Sequence, residues 1–262
     1  MKRKFVNIFI AFFYVVISAS AGNATDTLKV MTYNLRFGEL ASLEQLGTYI
    51  KNQYPDIVAL QECDWKTNRE RVPQQAGKAY VNELAYYTGM FGLYGKAIDY
   101  KGGYYGVGLL SKYPIIKSER VLLPNPYPKT EQRVLLIAEI EFPDKSTITF
   151  ISTHLEVSSV KARKAQIEFI NKKIESIKTP VILAGDFNAT PDDEEIKTGF
   201  ANWLNVTNTE FTFSSMKPEK KIDYIWCTPS RDFTLISTKV DTDSKLSDHF
   251  PVSSLILFKT SK

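Results

Sequence analysis

Histidine is almost absent from this chain: 262 residues carry two, His154 and His249. Cysteine is as scarce, with only Cys63 and Cys227. Two lone cysteines and two distant histidines lack the close-pair spacing of a zinc site, which disfavours zinc. In an exported chain the two cysteines could pair, or each could sit as a buried free thiol beside a strand-like run; both readings stand. There is no internal repeat, low-complexity tract or heptad seam. The apolar stretch Phe5–Ile17, interrupted by Asn7, is too short for a comfortable membrane span.

That stretch has another reading. Lys2, Arg3 and Lys4 precede it, and Ser18-Ala19-Ser20-Ala21-Gly22 supplies the small residues a signal peptidase needs. Residues 1–21 are therefore expected to be a signal peptide and 22–262 a single domain, periplasmic or extracellular. An uncleaved N-terminal anchor is the alternative; no cysteine follows to carry a lipid. The formal net charge of +4 falls to +1 when those three basic residues are removed, so the basic balance is no argument for a nucleic-acid partner. The run Lys217–Lys221 reads as a solvated loop, with phosphate contact as the other possibility.

What is present is a core. Hydrophobic residues make up 44% of the chain and aromatics 13%, enough for one large domain. Apolar runs predict strands at Leu28–Tyr33, Asp56–Leu60, Tyr105–Ser111, Ile115–Leu122, Val134–Phe142, Thr147–Leu155, Val181–Ala184, Ile222–Cys227, Phe233–Thr238 and Val252–Phe258. Helices are expected at Ser42–Asn52, Gln75–Tyr87 and Val160–Ile177, the last with Ile167, Ile170, Ile174 and Ile177 on one face. Many strands with few helices imply an α/β four-layer sandwich: two packed, mostly antiparallel β-sheets flanked by helices. Seven tyrosines and phenylalanines crowd Tyr86–Tyr105. They read as core and cross-strand packing, against a substrate-facing loop or a membrane-touching tip.

Polar residues gather where the strands end. Asn34 follows Val30–Tyr33, Glu62 ends Ile57–Gln61, and His154 ends Ile148–Thr153. Asp186 and Asn188 follow Val181–Ala184, Asp223 opens Ile222–Trp226, and Asp248 and His249 precede the last strand. Any one such cluster is an ordinary turn signal; both histidines lying inside such clusters argues for a site. Four carboxylates, two amides and two imidazoles, with no thiolate, suit Mg²⁺ or Mn²⁺ and the hydrolysis of a phosphate ester.

In order, Met31-Thr32-Tyr33-Asn34-Leu35, Pro55–Glu62, Ser152-Thr153-His154-Leu155, Gly185-Asp186-Phe187-Asn188, Ile222-Asp223-Tyr224-Ile225 and Ser247-Asp248-His249-Phe250-Pro251 resemble the motifs of the endonuclease/exonuclease/phosphatase family. The resemblance spans about residues 28 to 258. It implies Glu62 as principal metal ligand, with Asn34 holding metal or phosphate and Asp248 as a further metal ligand. It also implies His249 at the scissile phosphate, Asp223 orienting it, Asp186 positioning the attacking water, and Asn188 steadying the transition state. His154 resembles the second histidine of the deoxyribonuclease and sphingomyelinase branches, which the abasic endonucleases lack. Arg133 resembles a phosphate-binding arginine, with an ion pair to Glu131 or Glu139 as the alternative. Arg36, Asp64 and Arg69 lie near Asn34 and Glu62 and are candidates for the pocket wall. Cys63-Asp64 stands where deoxyribonuclease-like members often carry an arginine, no DNA-intercalating loop is evident, and no long hydrophobic hairpin is either, unless Tyr86–Tyr105 supplies it.

The expected activity is that of an exported Mg²⁺-dependent phosphodiesterase or phosphatase, including one acting on scavenged nucleic acid. A phospholipid, sphingolipid or inositol-phosphate head group is the second candidate, and an inactive binding module with the same fold the third. The expected partner is a phosphate-ester substrate, with no obligate protein partner and a monomeric chain.

Overall fold

The computed structural model describes residues 25–127 and 129–259. The expected signal peptide, residues 1–21, lies outside the described residues. Sixteen elements follow in the order β1 (Thr25–Asn34), α1 (Leu43–Asn52), β2 (Ile57–Trp65), α2 (Tyr80–Thr88), β3 (Phe91–Tyr100), β4 (Gly103–Ser111), β5 (Ile115–Leu122) and β6 (Val134–Glu141). Then come β7 (Thr147–His154), α3 (Val160–Ile174), β8 (Val181–Asp186), α4 (Glu194–Gly199), β9 (Leu204–Asn205), β10 (Asp223–Thr228), β11 (Phe233–Val240) and β12 (Val252–Lys259).

The strands form two six-stranded sheets, ordered β11-β12-β1-β2-β4-β3 and β5-β6-β7-β8-β10-β9. Each is mixed. The pairs β1–β2 and β7–β8 run parallel, and every other pair is antiparallel. Alternation along the central strands explains the layering. In β2, Ile57 and Ala59 face the opposing sheet, where they meet Leu136, Phe150 and Ile182. The intervening Val58 and Leu60 face outward and pack with Leu46, Ile50 and Leu84 of α1 and α2. In β8, Leu183 likewise points out to Ile167 and Ile170 of α3. A continuous apolar run is thus a strand covered on both sides, and the four-layer sandwich follows. Among the described residues no helix is long and apolar enough to cross a membrane.

Local signals set the helix limits. Ser42 caps α1 through a capping box with Gln45, and the Ser159 hydroxyl accepts from Ala162 N at the start of α3. The helix expected from Gln75 begins instead at Tyr80. Pro73–Gln75 forms a separate 3-10 turn, and Gly77 follows with φ +74°, breaking the apolar periodicity before α2. The short α4 and β9 and the edge strand β3 were not expected from the sequence. Part of Tyr86–Tyr105 is this β3–β4 hairpin: Tyr94 packs on Trp65 at 5.3 Å, whereas Tyr86, Phe91 and Tyr104 are exposed.

Cys63 and Cys227 are free, buried thiols in two different core clusters.

Candidate functional site

The carboxyl ends of both parallel strand pairs lie at one edge of the sandwich: β1 ends at Asn34, β7 at His154 and β8 at Asp186. His154 is in register with Asp186, and Asp186 with Asp223 at the start of β10. The clefts outside such strand ends are where α/β sheets ordinarily bind ligands.

Four residues converge tightly. Nδ1 of His249 lies 3.0 Å from Oδ2 of Asp223. Oδ2 of Asp186 is 3.5 Å from Nε2 of His154 and 3.6 Å from Nε2 of His249. The Asn34 amide joins the sheets, its Nδ2 donating to Oε1 of Glu62 at 3.2 Å and to Oδ2 of Asp186 at 3.0 Å. Asn188 donates from Nδ2 to Nε2 of His154 and to the carbonyl of Leu155, each at 3.0 Å. Its own N–H bonds Oδ1 of Asp186 at 2.9 Å.

The backbone is bent to make this possible. β2 and β4 lose register between Leu60 and Cys63, a β-bulge that includes Glu62 at φ 56°. Asn188 is held at φ 49°, and Arg36 and Phe37, just past Asn34, at φ 45° and 42°. Left-handed conformations at non-glycine residues cost energy and cluster at functional sites.

Asp248 stands slightly apart. Its carboxylate is engaged by the Arg36 guanidinium, which also pairs with Glu39. Arg133 is nearly buried; its Nη1 lies 2.9 Å from Glu131 and its Nε 3.6 Å from Glu156, and Nε has no hydrogen bond. The carboxylate partners are thus Glu131 and Glu156; Glu139 sits further along β6. Asp64 and Arg69 form a two-bond pair whose guanidinium lies over Phe37 and Tyr100 at 4.1 and 4.3 Å.

Burial and charge separate the ionisable groups. Burial opposes charge on His249, but the carboxylates of Asp223 and Asp186 and the Nδ1 hydrogen bond outweigh it, pushing the imidazole up to about 10. His154 goes the other way: burial, then the positive charges of Arg133 and His249, hold it well below its ordinary value. Burial also raises Glu62, and burial with the charge of Asp223 raises Asp186. Two imidazoles in one cleft, one cationic and one neutral, form a differentiated proton-handling pair.

The donor set fits a hard divalent cation. Ligand-capable atoms of Asp186, Asp223 and His249 lie within 4.8 Å of one another. Oδ1 of Asp223 is buried without a partner, and Glu62 accepts one side-chain hydrogen bond, from Asn34. The carboxylates of Glu62 and Asp186, raised by burial, are what a cation would relieve. Asn34, by contrast, commits Oδ1 to the N–H of Arg36 and turns its amide nitrogen to the carboxylates.

Three further residues support the site, and two of them, Phe213 and Thr212, have no signal in the sequence pattern. The Phe213 ring packs on the His249 imidazole at 4.8 Å. Ser247 donates to the carbonyl of Asn34 at 2.7 Å and accepts from the N–H of His249. Thr212 accepts the N–H groups of Ile222 and Asp223. Phe213 and Thr212 belong to the irregular loop before β10, where periodicity is silent.

A two-sheet sandwich with carboxylates, amides and imidazoles gathered at its strand ends is the arrangement of a phosphohydrolase. The chain belongs to the endonuclease/exonuclease/phosphatase family, whose model matches residues 31–249. Members of this family are phosphoesterases and typically metal-dependent. Similar solved structures include a family protein from Bacteroides vulgatus, with a TM-score of 0.73 and 19% identity over 89% of this chain and 100% of that one. A mannosyl-6-phosphatase of Bacteroides thetaiotaomicron matches with a TM-score of 0.71 and 18% identity, covering 88% and 100%. The human nocturnin catalytic domain matches with a TM-score of 0.66 and 18% identity, covering 90% and 98%.

Proposed function

We propose that this phosphohydrolase is an exported, Mg²⁺- or Mn²⁺-dependent esterase that cleaves a phosphodiester or phosphomonoester by in-line attack of water. The observation that carries the reading is the position of Asp186 between His154 and His249, with Asp223 behind His249 and the Asn34 amide bridging to Glu62. Glu62 and Asp223, whose Oδ1 has no partner, are the residues that would hold the cation, with Asp248 at the margin; when bound, it would neutralise phosphate charge.

The remaining work falls to the chain. Asp186, raised by burial, positions the attacking water and accepts its proton. His249, kept protonated by Asp223, donates to a phosphate oxygen as charge develops there. The Asn188 amide, fixed in a left-handed turn, steadies the same oxygens. His154 accepts from Asn188 through Nε2, so it acts as a neutral imidazole.

A compact ester suits the surroundings better than a long nucleic acid. Arg36, Arg69 and Arg71, which flank the strand ends, are each paired with a carboxylate, so these three offer no uncompensated charge to a polyanion. That the mannosyl-6-phosphatase shares the fold is consistent with a small phosphate ester, although the likeness reaches the fold alone.

The test is an assay of purified protein on p-nitrophenyl phosphate, bis-p-nitrophenyl phosphate, plasmid DNA, RNA and sphingomyelin vesicles, with Mg²⁺ and with EDTA. Turnover of the small esters with Mg²⁺, lost in EDTA and lacking steep salt inhibition, is expected. Absence of turnover on every ester would leave the inactive-module reading in its place.

A further inference from the structure

We propose that Tyr105 is a further phosphate-binding residue of this site, its hydroxyl donating to a non-bridging phosphate oxygen beside Arg133. It takes this role only if the phosphohydrolase reading above holds.

Four tyrosines are buried among the described residues: Tyr33, Tyr80, Tyr105 and Tyr224. The Tyr33 hydroxyl lies 3.4 Å from Oγ of Ser244, Tyr80 donates to the carbonyl of Phe37 at 2.7 Å, and Tyr224 to that of Ala189 at 2.9 Å. Among the described residues the Tyr105 hydroxyl alone of the four has no hydrogen-bond partner. That hydroxyl is not sealed from solvent; it opens on a cleft and is free to take a partner from outside the protein. The ring itself is held, 6.1 Å from Tyr100 and under the Arg69 guanidinium at 5.4 Å.

A second unpartnered donor lies in the same place. Tyr105, Arg133, Val134, His154 and Val107 line one narrow cleft, and Nε of Arg133 is buried there without a hydrogen bond. Glu131 pairs with Nη1 at 2.9 Å, and Glu156 stands 3.6 Å from Nε, beyond hydrogen-bond distance. Two donors without acceptors, one of them cationic, describe a place for an anionic oxygen.

The sheet order says where that place is. On one sheet the site residues occupy β1 (Asn34) and β2 (Glu62), and the next strand is β4, which carries Tyr105. On the facing sheet they occupy β10 (Asp223), β8 (Asp186) and β7 (His154), and the next strand is β6, immediately preceded by Arg133. Tyr105 and Arg133 therefore extend the two rows by one strand each, across the sandwich from one another. Burial, then the charge of Glu62, keeps the phenol protonated and hence a donor.

The experiment compares wild type with Tyr105→Phe, which removes a hydroxyl that bonds nothing in the protein and leaves the ring packing in place. Isothermal titration with inorganic phosphate in saturating Mn²⁺, Mn²⁺ titration alone, thermal melting, and turnover of p-nitrophenyl phosphate are measured on both. Phosphate affinity should fall about tenfold, with KM rising, while Mn²⁺ affinity and the melting temperature stay at wild-type values. If wild type turns the ester over and Tyr105→Phe binds phosphate equally well, the Tyr105 assignment is wrong and the phosphohydrolase reading survives. If wild type neither binds phosphate nor turns over any ester, both fall together.

Discussion

Asp223 stands 3.0 Å behind Nδ1 of His249, whereas His154 is lowered first by burial and then by the cations Arg133 and His249. These surroundings, rather than the residue type, assign the two imidazoles their protons. His249→Ala should therefore lower turnover by about 10²- to 10⁴-fold while leaving the Mn²⁺ binding isotherm nearly unchanged. Equal loss of metal binding and turnover in that variant would mean His249 serves mainly as a ligand. Glu62→Gln keeps the shape of the side chain and the hydrogen-bonding capacity toward Asn34 but removes a full negative charge. It should shift the Mg²⁺ concentration for half-maximal rate upward; an unchanged titration would remove Glu62 from the metal assignment.

At the scale of elements, the site depends on how closely strands approach and on what ties helices to them. Gly185 sits in β8 one residue before Asp186, and a Cβ there would lie 2.1 Å from the backbone carbonyl of Thr153 in β7. Gly185→Ala should destabilise the chain by on the order of 3 kcal/mol, lowering the melting temperature and the turnover together. Elsewhere, α1 is tied to the end of β11 by the Tyr49 hydroxyl, which donates to Asp241 at 2.6 Å. Burial opposes ionisation of Asp241, but hydrogen bonds from Tyr49 and Lys239 outweigh it and hold the carboxyl below its usual value. The sign follows from linkage: a depressed folded pKa adds stability above the unfolded carboxylate value, and that stability is lost as pH falls through the folded one. Wild type should accordingly exceed Asp241→Asn by about 1 kcal/mol in urea unfolding at neutral pH, and the difference should vanish in acid. A difference that persisted in acid would assign the effect to packing instead.

At the scale of the whole molecule, the sandwich was legible because runs such as Ile57–Leu60 and Val134–Ala138 are apolar at every position, and only a strand covered on both faces asks for that. The strand-end residues Asn34, Glu62, His154, Asp186, Asn188, Asp223 and His249 were legible for the complementary reason: polar groups interrupt apolar runs at these points. The edge strand β3 was not legible, because glycines and partly exposed aromatics leave FGLYGKAIDY with no clean alternation. Nor could a sequence reveal the β2 bulge that re-aims Glu62, the Phe213 ring against His249, or the unpartnered Tyr105 hydroxyl, since each depends on contacts distant along the chain. Export is a proposal of the same scale. Mass spectrometry of the protein recovered outside the cytoplasm should find a chain beginning at Gly22, and a retained Met1 would favour an anchor.

The central claim is that side chains from both sheets surround one cation and one phosphate. The most direct measurement is an anomalous difference map from a crystal grown with Mn²⁺ and inorganic phosphate. A peak within coordinating distance of Glu62, with phosphate density reaching from His249 toward Arg133, is the predicted result; Mn²⁺ found only at other surfaces, in crystals of protein whose turnover requires it, would contradict the account.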